Sequence, residues 1–259
     1  MDARPPLDLA DFERGPLPPG VAHGFTPRRG GVSSGPYASL NLGLSVGDER
    51  EAVLENRRRV RVAFGVDADR WMTGRQVHGT GVLVAGRDLA GADGDVLISD
   101  DPAWALAVSA ADCVPVVLVD ARGGAVAAAH AGWRGAVAGV VGAALDALAD
   151  RFGTDVGDVH AWLGPAIQGA CYQVGEEVVA AAERAGAPAH AIWPDPGVAD
   201  RWRFDVPALL RAQLMAAGLP AAAVAASTTC THCAVDRCFS HRRDHGRTGR
   251  HWAVVRAPR

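Results

Sequence analysis

Between Gly81 and His130 the chain passes through five short apolar stretches, Val82–Val84, Val96–Ile98, Trp104–Val108, Val114–Val119 and Ala125–Ala129, parted by Gly, Asp and Pro. Runs of that length, rich in β-branched residues and bounded by turn formers, read as strands. They make the sheet core. The stretch Gly135–Phe152 then reads as one buried, alanine-rich helix, followed by a strand at Val159–Leu163, helices at about Glu176–Ala185 and Pro207–Ala217, and a closing strand near Ala253–Val255. Upstream, a helix is expected from Glu49 to Phe64, with Ala52, Val53, Val60 and Phe64 near helical spacing; Arg57, Arg58, Arg59 and Arg61 would form its solvated face. No internal repeat, low-complexity linker or break in composition divides the chain. The prediction is therefore a single α/β domain over residues 21–257, a mixed β-sheet core flanked by helices, preceded by an irregular N-terminal segment, residues 1–20.

Composition narrows the function classes. Nearly half of the 259 residues are apolar, 49%, but no run approaches the roughly 18 that span a bilayer. The segment Met1–Gly20 lacks an apolar signal core, so a cytoplasmic location and no membrane partner are expected. A formal net charge of −3 with scattered arginines gives no general attraction to nucleic acid. All 26 basic residues are arginine. The absence of lysine removes Schiff-base chemistry, pyridoxal phosphate attachment and the P-loop lysine, and leaves arginine or backbone N–H to bind any anion. Five cysteines, an odd number, argue for free thiols or thiolate ligands over a disulfide framework.

Three segments place a metal-ligating residue at the edge of a strand: Gln76-Val77-His78-Gly79, Ala111-Asp112-Cys113-Val114-Pro115 and His130-Ala131-Gly132-Trp133-Arg134-Gly135. One thiolate from Cys113 and two imidazoles from His78 and His130 suit zinc, and three protein ligands leave a fourth position open. Gly132 and Gly135 permit a tight turn that aims the N-terminus of the next helix at the site. Asp112 and Arg134 stand where a base and an anion clamp would be needed.

The same residues, with His23-Gly24-Phe25, Arg28, Gly30-Gly31-Val32-Ser33, Ser39-Leu40-Asn41-Leu42, Glu55-Asn56-Arg57, Leu163-Gly164-Pro165-Ala166-Ile167, Phe239-Ser240 and Arg242-Arg243-Asp244, resemble the YfiH-type purine nucleoside phosphorylases. That family was formerly labelled polyphenol oxidase or laccase. The resemblance runs from His23 to Val255 and implies a mixed α/β sandwich flanked by helices, with zinc on His78, Cys113 and His130. It implies phosphorolysis of adenosine, inosine, guanosine and methylthioadenosine, with adenosine deamination as a further activity. Asp112 and Arg134 would join the ligands in catalysis, and Arg28, Asn41, Gln76, Arg242 and Arg243 would bind nucleoside and phosphate. A monomer is expected. The chain departs from the family pattern at Pro27, Cys238 and His241, which bears on the rim formed by the glycine-rich loop and the late arginine segment.

Other readings compete. Cys230-x2-Cys233-x4-Cys238-x2-His241 has the spacing of a structural zinc knuckle. Gly31-Val32-Ser33-Ser34-Gly35 matches a nucleophile elbow but lacks a following helix pattern. No two of the nine histidines stand two residues apart, so the His-x-His pairs of multicopper oxidation are missing, which argues against a copper-dependent polyphenol oxidase and leaves copper only as the lesser alternative to zinc. The zinc deaminase signature is absent as well. Two classes stay open beside the phosphorylase: an amide or peptide hydrolase with Cys113 as nucleophile and His130 or His78 as base, and a non-catalytic partner of envelope or division machinery.

Overall fold

A computed structural model describes residues 6–259. Two sheets stack face to face. The larger holds six strands in the order β12 (Val224–Ala226), β8 (Val159–Leu163), β6 (Val114–Asp120), β7 (Val126–Ala131), β4 (Val96–Ser99) and β3 (Val82–Val84). The smaller holds four: β1 (Ala22–Phe25), β13 (His251–Arg256), β5 (Ala105–Ala110) and β2 (Trp71–Met72). A third, peripheral sheet joins β10 (Ile192–Pro194), β11 (Trp202–Phe204) and β9 (Gln173–Val174). Both main sheets mix parallel and antiparallel pairs.

Side-chain alternation assigns the layers, because successive residues of a strand face opposite sides. Along β6, Val114, Val116 and Leu118 pack toward helices, while Val117 and Val119 meet Leu106, Val108, Ala253 and Val255 of the smaller sheet. Trp162 of β8 is buried in the same inter-sheet layer. Every residue of β6 and β7 is buried, which explains why these strands read as unbroken apolar runs. On the outer face of the smaller sheet, Val60 and Phe64 of α1 (Arg50–Phe64) pack against Trp71, Trp252 and Val254. Over the larger sheet lie α2 (Trp133–Val137), α3 (Val140–Phe152), α4 (Glu176–Arg184) and α5 (Val206–Ala216). The result is a four-layer helix–sheet–sheet–helix sandwich, as the resemblance implied. Among the described residues no helix is long and apolar enough to cross a membrane.

Three features differ from the sequence reading. The helix expected over Gly135–Phe152 is two helices, because Gly139 takes φ +84° between them. The four-residue β1 and the two- and three-residue strands β2, β9, β10, β11 and β12 are too short for a periodicity to register. The expected solvated arginine face divides: Arg58 is 64% exposed beside Glu55, but Arg57 donates to the Leu42 carbonyl at 2.9 Å and stacks on Trp252, and Arg59 is 11% exposed. Of the irregular N-terminal segment, residues 1–5 lie outside the described residues. The remainder docks on the domain: Phe12 packs edge-on to Phe64, and Glu13 exchanges backbone hydrogen bonds with Phe25.

Candidate metal centre

Strand register brings two of the three predicted ligands together. In the antiparallel β6–β7 pair, Val114 faces Ala131 and Pro115 faces His130, so Cys113 and His130 emerge at the same edge of the sheet. The third, His78, sits in the connection between β2 and β3, in the left-handed region at φ +61°. The ligand atoms of His78, Cys113 and His130 all lie within 4.8 Å of one another. Gly132 makes this convergence possible, since a Cβ there would stand 2.7 Å from His78 Cδ2 and 3.1 Å from Cys113 Sγ.

Asp95, just before β4 and fully buried, anchors both histidines. Its Oδ1 accepts from His130 Nδ1 at 2.8 Å and from the His78 N–H at 3.0 Å, while Oδ2 accepts from the Val77 and Gly79 N–H groups at 3.0 and 2.8 Å. With Nδ1 engaged by Asp95, Nε2 is the ring nitrogen that would ligate a metal. Burial would raise the Asp95 carboxyl, but the bonds from His130, Gly79 and Val77 hold it below the usual carboxylate range. Burial likewise opposes the Cys113 thiolate, yet the His130 charge and hydrogen bonds from His130 and His78 bring the thiol down to about 6. Burial disfavours a charged His130 too, and the Cys113 thiolate followed by Asp95 raises it to about 9. A thiolate and two oriented imidazoles are the donor set that zinc accepts, so the residues present fit a metal.

The trio opens into a cavity of about 830 Å3. Five arginines line it, Arg57, Arg75, Arg134, Arg242 and Arg250, against one carboxylate, Asp112. Arg75 is paired with Asp93; among the described residues the other four have no carboxylate partner. Aromatic rings fix three of them, with Arg57 over Trp252, Arg134 over Trp133 and Arg242 over Tyr172. Burial pushes the Tyr172 phenol up to about 12, with the Cys113 thiolate adding to it, so the hydroxyl keeps its proton.

The sequence-predicted site residues divide between wall and support. His78, Cys113, His130, Asp112, Arg134, Gln76 and Arg242 line the cavity; Arg28, Asn41 and Arg243 do not. Asp112 Oδ1 accepts from Thr231 at 2.6 Å, and its Oδ2 accepts from Ser240 at 3.0 Å and the Arg242 N–H at 2.7 Å. Both ends of the Gln76 amide bond the Ser109 backbone. Asn41 is fully buried and accepts from the Arg250 N–H at 2.9 Å. Arg28 bonds the Ala38 and Val235 carbonyls and stacks on Phe239, joining the glycine-rich loop to the late arginine segment. Arg243 is spent on Asp244 and on the Thr231, His232 and Cys238 carbonyls. The elbow serine, Ser33, donates to Asp48 and accepts from Asn56, with no strand before it.

The sequence profile of the multi-copper polyphenol oxidoreductase laccase family matches residues 22–257. The chain belongs to this YfiH-type, laccase-domain family. It is 37% identical over 251 residues to purine nucleoside phosphorylase YlmD of Geobacillus stearothermophilus, covering 91% of this chain and 90% of the relative. It is 44% identical over 233 residues to a purine nucleoside phosphorylase of Streptomyces coelicolor, covering 87% and 91%, and 39% identical over 231 residues to YfiH of Escherichia coli, covering 88% and 91%. The crystal structure of YlmD from Geobacillus stearothermophilus superimposes with a TM-score of 0.86 at 34% identity, covering 96% of this chain and 99% of that one. In this YfiH-type chain the site contains residues that sequence reasoning missed. Asp95 and Arg250 carry a faint signal, each being a charged residue just ahead of an apolar strand; Arg57 was read as surface, and Tyr172 carried none.

Proposed function

We propose that this chain is a zinc-dependent purine nucleoside phosphorylase, cleaving adenosine, inosine, guanosine and methylthioadenosine with phosphate. The observation that carries the reading is the charge of the cavity: four arginines without a carboxylate partner among the described residues face a single lining carboxylate whose oxygens are already engaged, in a chain of net charge −3. Such a wall concentrates an anion and stabilises charge that phosphate brings into a water-poor site. The volume, about 830 Å3, lies in the usual range for small-molecule pockets and leaves room for a nucleoside beside phosphate. The names of the relatives point the same way.

His78, Cys113 and His130 would hold zinc, which when bound would supply a Lewis acid to the cavity they line. The chain's own residues do the rest. Arg134, Arg242 and Arg250 hold phosphate and offset its charge, each kept in place by a ring or by backbone carbonyls. A phosphate oxygen then attacks C1′ of the ribose, the bond from C1′ to the base nitrogen breaks, and the base leaves as it gains a proton. Tyr172, which retains its hydroxyl proton and lines the cavity, would donate that proton to the leaving base. Asp112 acts as a strut that sets Cys113 and Arg242, since three donors already occupy its carboxylate. Adenosine deamination is a second activity of the same cavity.

A second reading rests on one observation. Without metal, Cys113, His130 and Asp95 form a thiolate, imidazole and carboxylate in series, the order of a cysteine hydrolase. Rapid trapping of Cys113 by iodoacetamide in zinc-loaded protein would favour it. For the phosphorylase, the zinc-loaded enzyme is incubated with adenosine and phosphate and the products are separated. Free adenine with ribose 1-phosphate is expected; adenine with free ribose, or neither product, overturns the assignment.

A further inference from the structure

The late cysteines do not assemble as their spacing suggested. Cys238 is buried between the two main sheets, and His241 lines the main cavity beside Arg250. Cys230 and Cys233 instead meet Cys171, which lies on the short turn Gly169–Cys171, 62 residues before Cys233 in the chain. Cys171 Sγ and Cys233 Sγ are 3.3 Å apart, and a ring nitrogen of His232 lies within 4.8 Å of both sulfurs. The Cys230 thiol neighbours the other two thiols.

The surroundings hold this cluster ready for a cation. Cys230 Sγ accepts the Gln168 N–H at 3.4 Å and the backbone N–H groups of His232 and Cys233. Amides of the second and third residues after the first cysteine of a Cys-x2-Cys turn, directed at its sulfur, stabilise the thiolate form that metals need. Arg243 clamps the same turn through the Thr231 and His232 carbonyls at 2.9 and 3.2 Å, and the Thr231 N–H donates to the Ala166 carbonyl at 3.0 Å.

We propose that Cys171, His232 and Cys233, whose ligand atoms converge, form a second metal site with Cys230 beside them as the fourth donor, which takes a thiophilic divalent cation, zinc in particular. Three sulfurs and one imidazole make a closed set of four, the composition of a structural zinc site. The site is a clasp between two loops that build the main cavity. Tyr172 follows Cys171 and lines that cavity, and Thr231, between Cys230 and His232, donates to Asp112 next to Cys113.

The test is stoichiometric and independent of activity. Zinc is added back to metal-free protein under reductant, the excess is removed, and bound metal is counted. Two zinc ions per chain are expected in the wild type. Cys171→Ser and Cys233→Ser each reduce the count to one, Cys113→Ala also gives one, and Cys238→Ser still gives two. Thermal melting shows that each variant is folded. Because a variant could fail to fold, cobalt is bound to Cys113→Ala as a second measurement, where strong thiolate-to-cobalt absorption is expected from the remaining cluster. One zinc in the wild type with no loss in Cys171→Ser, or no thiolate-to-cobalt absorption in Cys113→Ala, overturns the proposal. So does loss of one zinc in Cys238→Ser, which would restore the grouping suggested by spacing.

Discussion

A single carboxylate decides whether the two imidazoles can act as ligands. Asp95 takes four hydrogen bonds, three of them from the backbone turn that carries His78 and one from His130. Asp95→Asn would turn an amide N–H2 toward buried N–H donors, leaving unmet polar groups that cost about 1–3 kcal/mol, and would release the His130 ring. The expected outcome is zinc affinity lowered about 10- to 100-fold, measured by competition with a chelator, with a lower melting temperature. Unchanged affinity would mean that the carboxylate is a bystander. The three candidate ligands stood out in the sequence because each lies in a short motif at a strand edge, whereas Asp95 acts across 17 and 35 residues and its burial leaves no mark in the sequence. Arg28, Asn41 and Arg243 show the converse. Their motifs singled them out, and the structure gives them to the loops that hold the cavity rather than to its wall.

At the scale of elements, the sheet core was readable where a strand coincides with an unbroken apolar run. β3 and β8 begin and end where the apolar runs do, and β6 extends one residue beyond its run. What the pattern hid was a break in backbone direction. Gly139 stands in an alanine-rich stretch whose hydrophobicity continues through it, yet its φ of +84° separates the five-residue α2 from α3. That break lets α2 start at Gly132, directly beside the ligands, while α3 turns to cover the larger sheet. Helix α1 was placed correctly within one residue, but its arginines were not. Arg57 can leave solvent because the Trp252 ring and the Leu42 carbonyl replace the water it loses. No periodicity encodes that exchange.

At the scale of the whole molecule, the sandwich buries groups that suffer from acid. His251 lies fully buried between Thr26 and Phe239, accepting the Phe239 N–H at Nε2, and burial brings it down to about 3. A histidine lowered in the fold binds a proton in the unfolded chain first, so stability falls as pH drops below its ordinary 6.5. The slope from this residue is at most about 1.4 kcal/mol per pH unit. Asp95, Asp120 and Asp244 are all held below the usual carboxylate range, so their contributions are lost in turn at lower pH. Denaturant melts from pH 7 to pH 4 should show a steady fall in stability that is weaker in His251→Asn; a flat profile would contradict the assignment of neutral His251.

The same architecture gathers the ligands from three separate segments and surrounds them with arginine, and the function proposed depends on both acting together. Metal-free wild type is given adenosine and phosphate while zinc is added back in steps, beside Cys113→Ala treated alike. Release of ribose 1-phosphate that climbs with bound zinc to a plateau in the wild type, and stays at background in Cys113→Ala, is the result predicted. Full phosphorolysis before any zinc is added, or by Cys113→Ala, would contradict it.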